Sequence, residues 1–229
     1  MNKNYEFIFT SLYGSQNYNL DNENSDKDYK MAVIPSLENL ILDSKQYSKI
    51  EKTKDGLVEI KDIRNTFTSF KKMSIVDLEI LFSKEIITNK KYKEEINRLL
   101  DIKENLIGAN PYRLYQVMLG VMTSGYKKEY KAKNMTQSIR YYDLFNRYFI
   151  ENENFENALD TSKSKLYNFI KDVKFDKADK NETQKKVKKM IEITKNYQNK
   201  IPKNINYETY QKLDLILIDI FKKKIKDTI

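Results

Sequence analysis

Cysteine and histidine are both absent from the 229 residues. Without cysteine there is no disulfide framework and no thiolate metal site. Without histidine there is no imidazole general base, no Ser-His-Asp triad and no imidazole zinc site. A ribonuclease built on an Arg-x-x-x-x-His motif is excluded for the same reason. Any metal ion must be held by oxygen atoms, which selects Mg²⁺, with Mn²⁺ as its substitute. Glycine and proline are scarce, at five and three residues, which favours long regular elements over a loop-rich β fold. No apolar run approaches membrane-spanning length. No signal-peptide pattern opens the chain, because Asn2-Lys3-Asn4 leads into a run too short and too mixed. The expectation is an intracellular, cytoplasmic protein with no membrane partner.

Charge is plentiful instead. There are 42 Lys and Arg against 33 Asp and Glu, a net charge of +9. Such an excess suits an anionic partner, nucleic acid or nucleotide, although a Lys/Asn/Ile-rich composition that raises lysine everywhere gives the same sum. At this length the chain forms one domain or two small ones. Residues 5–13 and 27–35 read as strands, and residues 46–63 as a hairpin turning at Asp55-Gly56. The period then changes. Phe67, Phe70 and Met73 recur at helical spacing. Helices are predicted over 91–102, 112–132 (opened by Pro111), 135–152, 163–173, 181–199 and 206–226. The Lys-rich tract 179–203 keeps an apolar seam of Val187, Met190, Ile191 and Ile193 and reads as a charged amphipathic helix. The fold class expected is α+β: a small mixed β-sheet core over 1–90, then an all-α helical part over 91–229.

One stretch carries chemistry. Gly14-Ser15-Gln16-Asn17-Tyr18-Asn19-Leu20 follows the first strand, and Ser25-Asp26-Lys27-Asp28 enters the second. A Gly-Ser turn at a strand end leaves backbone N–H groups for phosphate oxygens. Strand alternation places Asp26 and Asp28 on one face, and two carboxylates facing a phosphate cradle suit Mg²⁺. Taken singly, each feature has a plainer reading as a turn or a solvated acidic pair. A third carboxylate is expected on the strand 57–63. Glu59 and Asp62 point to opposite faces there, and Glu59 sits on the more polar one with Leu57 and Lys61. The tyrosines Tyr126, Tyr130, Tyr141, Tyr142 and Tyr148 are either base-stacking platforms or core.

On these motifs the chain resembles the DNA polymerase β-like nucleotidyltransferase superfamily, and within it the YcgL-type predicted nucleotidyltransferases, which read G-S-x-x-Y-G-L, a short polar loop and S-D-x-D. Asn19 replaces the family's second glycine, a substitution that the left-handed tolerance of asparagine allows. Leu78-Glu79-Ile80-Leu81-Phe82 is similar to the family's L-E-L-L-F helix. Lys133 and Arg140 keep the family's seven-residue spacing, with Gln137 where the family has histidine. The likeness covers most of residues 5–172. It implies Mg²⁺-dependent transfer of an NMP from an NTP (ATP by default) to an acceptor hydroxyl on an RNA 3′ end, a protein or a small molecule. It implies that Gly14 and Ser15 hold phosphates, that Asp26, Asp28 and Glu59 hold the metal, and that Lys133 and Arg140 counter phosphate charge. The family usually has Asp where Glu59 stands. A non-catalytic nucleotide- or RNA-binding module is the other reading, and a toxin–antitoxin or phage-defence setting would suit either.

Overall fold

The structure is a computed structural model describing residues 5–23, 25–42, 46–127 and 130–226. Asn24 of the polar loop and residues 128–129 of the helix expected over 112–132 lie outside the described residues. In chain order the strands and helices are β1 (Tyr5–Tyr13), β2 (Asp28–Pro35), α1 (Leu37–Leu42), β3 (Ser48–Lys52), β4 (Leu57–Asp62), α2 (Ile63–Lys71), α3 (Ile75–Leu78), β5 (Ile86–Thr88), α4 (Lys93–Asp101) and α5 (Lys103–Ile107). There follow α6 (Pro111–Lys127), α7 (Ala132–Phe145), α8 (Phe155–Leu159), α9 (Tyr167–Lys174), α10 (Lys180–Asn196) and α11 (Tyr207–Lys226). The architecture is mixed α/β, a five-stranded sheet with many helices. No described helix is long and apolar enough to cross a membrane.

The described residues fall into two compact units. One lies within 1–17, 21–109 and 206–229, and the other within 18–20 and 110–205. These units do not divide at residues 90 and 91. Helices α4, α5 and α11 belong with the sheet. The reason is a set of contacts that sequence order does not reveal. Leu213, Ile216 and Ile220 form a buried stripe on α11. Polar contacts then fix the helix, with Arg98 on Asp219 at 2.8 Å, Lys223 on Glu95 at 2.6 Å and Lys224 on Glu6 at 2.8 Å. Lys71 also pairs with Asp214.

In the sheet unit the strand order is β3-β4-β2-β1-β5. The β1–β2 pair is antiparallel with Tyr13 opposite Asp28 and Ser11 opposite Lys30. The β2–β4 pair is parallel with Lys30 opposite Glu59 and Ala32 opposite Lys61. Opposed residues share a face. Tyr13, Ser11, Asp28, Lys30, Glu59 and Lys61 therefore line one side of the sheet, while Val58, Ile60 and Asp62 line the other. Burial follows that alternation: Ile60 and Asp62 are buried, and Leu57 is exposed.

The helical unit holds α6 to α10. Its core includes the rings of Tyr115, Phe145, Phe149 and Tyr197, with Phe145 meeting Tyr197 edge-on at 5.6 Å. Tyr141 is buried, so of the candidate stacking tyrosines it is core. A π turn, Asn146–Ile150, extends α7. From it Arg147 spends its donors on Glu153 (2.7 Å) and on the carbonyls of Asn157, Ala158 and Asp160 (2.8, 3.2 and 2.8 Å), which clips the 153–160 segment in place. On α10, Val187, Met190 and Ile191 are buried as the seam predicts, while Ile193 is exposed.

Asp143 sits in this polar core and accepts from Ser164 Oγ at 2.5 Å. Burial pushes its carboxyl up to about 6, against the pull of Ser164 and Arg147. A raised carboxyl pKa favours the protonated folded state. Its stabilisation is complete below the ordinary Asp value near 3.8 and is lost as pH rises through about 6. Asp143→Asn is expected to gain on the wild type by about 2 kcal/mol between pH 4 and pH 7. Paired urea melts at the two pH values measure it, and a gap that does not widen with pH refutes the expectation.

Candidate active site

The site is built where β1 ends and β2 begins. Gly14 follows β1 with φ +83°, and a Cβ there would approach Asp28 Oδ2 to 3.3 Å. Both the backbone angle and the carboxylate therefore oppose a side chain at this position. A single 3₁₀ turn, Ser15–Tyr18, follows. Its neighbours pin it: Asn17 Oδ1 accepts from the Lys84 N–H at 3.1 Å, and Gln16 Nε2 donates to the Ser25 carbonyl at 3.2 Å.

Asp28 is the first residue of β2. Its Oδ1 accepts from the Leu57 N–H at 3.1 Å. The β3–β4 turn reinforces this placement, because the Lys27 N–H donates to Asp55 O at 2.7 Å. Gly56 makes the approach possible, since a Cβ there would lie 2.4 Å from the Lys27 carbonyl. Asp26 does not sit on the strand. It lies exposed in the segment before β2, so strand alternation does not set its side chain, which corrects the shared-face expectation.

Glu59 lies on the Asp28 face, as expected. It is engaged there by Lys30, whose ammonium is 3.3 Å from its carboxylate. Lys30 is buried and continues to Asp77 at 3.0 Å; Asp77 also holds Lys61 at 3.0 Å and accepts from Ser74 Oγ at 2.8 Å. Burial draws the Asp77 carboxyl up, but Lys30 and Lys61 outweigh it and the group titrates below its ordinary value. Burial likewise draws Lys30 down, and Asp77 and Glu59 outweigh it, so it titrates above. Lys30 lies 5.0 Å from the centre of the Tyr13 ring. Burial pushes the Tyr13 phenol up, Lys30 opposes the shift, and Asp28, Glu59 and Glu79 add to it, so these carboxylates all lie in the electrostatic reach of one ring.

Asp62 is placed elsewhere. It is fully buried on the opposite face, caps α2 through the Arg64 N–H at 2.8 Å and holds the Arg64 guanidinium at 2.6 Å. Glu79, in the L-E-L-L-F-like stretch, is buried. Lys133 is exposed at the start of α7. Arg140, two turns on, is buried in the helical unit, its guanidinium 3.9 Å from the centre of the Tyr18 ring and 4.5 Å from that of Tyr141. Tyr18 belongs to the Gly-Ser motif, so the motif's tyrosine and the distant arginine meet in a cation–π contact. Asn19 takes φ +58°, the left-handed conformation expected of it, and donates to Asp160 Oδ1 at 2.6 Å.

The donors around Asp28 suit Mg²⁺ or Mn²⁺ in kind, all being carboxylate oxygens. Among the described residues, no three acidic side chains are already gathered as a metal-binding group. Sequence reasoning missed Lys30 and Asp77, and read Lys61 only as a neighbour of Glu59 on its face. Lys30 had a usable signal, because it stands two residues after Asp28 and strand alternation puts it on the same face; Asp77 had none. The chain matches no family model and no curated protein.

Proposed function

We propose that the protein is a Mg²⁺-dependent nucleotidyltransferase. Its sheet unit would be the nucleotidyltransferase core, and its helical residues the accompanying C-terminal part. The observation that supports this reading is the placement of Gly14, in its left-handed turn, directly against the Asp28 carboxylate, with Glu59 on the same face of the neighbouring strand. In the reaction an acceptor hydroxyl attacks the α-phosphorus of an NTP. The bond to the β-phosphate breaks, pyrophosphate leaves, and the hydroxyl proton passes to a carboxylate or to water.

Gly14 and Ser15 bind the β- and γ-phosphates. Asp26, Asp28 and Glu59 hold the metal, and Glu59 lies near the attacking hydroxyl. Mg²⁺, when bound, neutralises the developing phosphate charge and aligns attack. The Leu57 N–H orients Asp28, and Lys30, tied to Asp77, sets the charge that Glu59 faces. Lys133 and Arg140 take phosphate-countering roles by the family likeness. Incubation with each labelled NTP, Mg²⁺ and total RNA or lysate tests the proposal. Label transfer is expected from the wild type and not from the Asp26→Ala/Asp28→Ala double variant. Equal labelling by the two, across all four NTPs, refutes the proposal.

The Lys30–Glu59 pair favours a second reading, a non-catalytic module that binds nucleotide or RNA. Its mark is binding that survives the double variant.

A further inference from the structure

The net charge is segregated. Residues 110–205 hold twenty Lys and Arg against eleven Asp and Glu, an excess of nine, whereas the rest of the chain holds 22 of each. A compositional bias that raises lysine everywhere would spread the excess over both units, so it does not account for this division. Both units hold paired cations, those of the helical one including Lys163, Lys165, Lys180 and Lys186, but α10 adds a run of lysines that is not paired among the described residues. In the sheet unit Lys30, Lys61, Arg64, Arg98, Lys223 and Lys224 are paired with carboxylates. In the helical unit Lys185, Lys188, Lys189 and Lys195 stand exposed on α10 and form no ion pair among the described residues.

The helical unit also carries an open groove of about 630 Å³ along α6, lined by Tyr112, Gln116, Gly120, Thr123, Lys127 and Gln198 among others. Lys203 lies 5.4 Å from the centre of the Tyr112 ring, and Gln198 Nε2 donates to the Tyr112 hydroxyl at 2.8 Å. A Cβ at Gly120 would meet nothing within 4 Å, so no packing contact explains a glycine that weakens the middle of this helix.

We infer that the helical unit binds single-stranded nucleic acid, with the α10 lysines on phosphates and the Tyr112 groove taking an unstacked base. Cations supply sequence-independent affinity for the backbone, and an aromatic ring flanked by amides and hydroxyls receives a base face and its polar edge. An anionic membrane is the competing occupant. It is disfavoured because Val187, Met190 and Ile191 of α10 are buried, which leaves Ile193 as the apolar side chain exposed on this lysine-rich helix and little to insert into lipid. The inference does not depend on nucleotidyl transfer, since binding needs neither metal nor NTP.

Fluorescence anisotropy on the full chain in EDTA, without nucleotide, tests it. The probes are a labelled 15-mer as RNA, as DNA and as a duplex; vesicles containing phosphatidylserine form a separate arm. Single strands are expected to bind at least fivefold tighter than the duplex, and whichever of RNA and DNA binds tighter names the occupant. The triple variant Lys185→Glu/Lys188→Glu/Lys189→Glu is expected to weaken binding tenfold or more. It should also lower the slope of log affinity against log salt by about 2, near 0.7 for each lost phosphate contact. Gly120→Gln fills the groove without changing charge, and is expected to weaken single-strand binding at least threefold while leaving duplex binding and the melting temperature intact. Unchanged binding by the triple variant overturns the inference, as does capture by vesicles without single-strand binding.

Discussion

Replacing Asp77 with Ala is expected to remove about 3–5 kcal/mol of stability at pH 7, a large share of a typical domain's total. The carboxylate is buried with an ammonium at 3.0 Å on each oxygen. Without it Lys30 and Lys61 remain inside the sheet unit as like charges, Lys61 keeping Ser69 Oγ at 2.9 Å and Lys30 keeping Glu59 and the Tyr13 ring. Breaking a buried pair costs more than the pair itself contributes, because a desolvated charge is left uncompensated. Replacing the whole group, Lys30→Met/Lys61→Met/Asp77→Leu, should therefore recover most of the loss. Urea denaturation followed by circular dichroism measures both variants. A single-variant loss below about 1 kcal/mol, or a triple variant no better than the single, is incompatible with this account. The pH dependence has a definite sign. Asp77 titrates below its ordinary value, so its contribution is present above that value and fades as pH falls through the lowered one. Lys30 titrates above 10.5, so its contribution is present below 10.5 and is lost as pH rises through the raised value.

That network also marks the limit of sequence reasoning. The strands were legible because local chemistry fixes them: β1 spans the expected residues, and the Asp55-Gly56 turn falls between β3 and β4. Gly14 and Asn19 take the left-handed angles that their place in the motif called for. What escaped depends on pairing across the chain. The parallel β2–β4 register sets Lys30 beside Glu59. Three-residue β5 is held by β1 rather than by any periodicity of its own. Helix α11 carries a readable apolar stripe, but nothing in the stripe says that it packs with the sheet unit. The period-2 argument did not reach Asp26, because the strand expected over 27–35 and the observed β2, from Asp28, both begin after it.

The two acidic residues of β4 should fail in opposite ways. If nucleotidyl transfer is the function, Glu59→Gln is expected to cut transfer about 100-fold or more, the scale at which one charge-stabilising group acts. Its effect on stability should stay within about 1 kcal/mol, because Glu59 is partly solvated and Lys30, with which it pairs, retains Asp77. Asp62→Ala is expected to do the reverse. It removes the cap of α2 and the carboxylate that holds Arg64 at 2.6 Å inside a fully buried position. Losing a cap costs about 1 kcal/mol and breaking the ion pair between the buried Asp62 and the half-buried Arg64 adds to it, so about 2 kcal/mol or more should go. Activity per folded molecule should remain. Denaturant midpoints and rates corrected for the folded fraction separate the two effects, and Mn²⁺ binding gives a readout independent of turnover: weakened by Glu59→Gln, unchanged by Asp62→Ala. Full transfer activity in Glu59→Gln would remove Glu59 as the third carboxylate. The same variant losing stability and Mn²⁺ affinity together would mean that the Lys30 pair serves the fold before it serves the site.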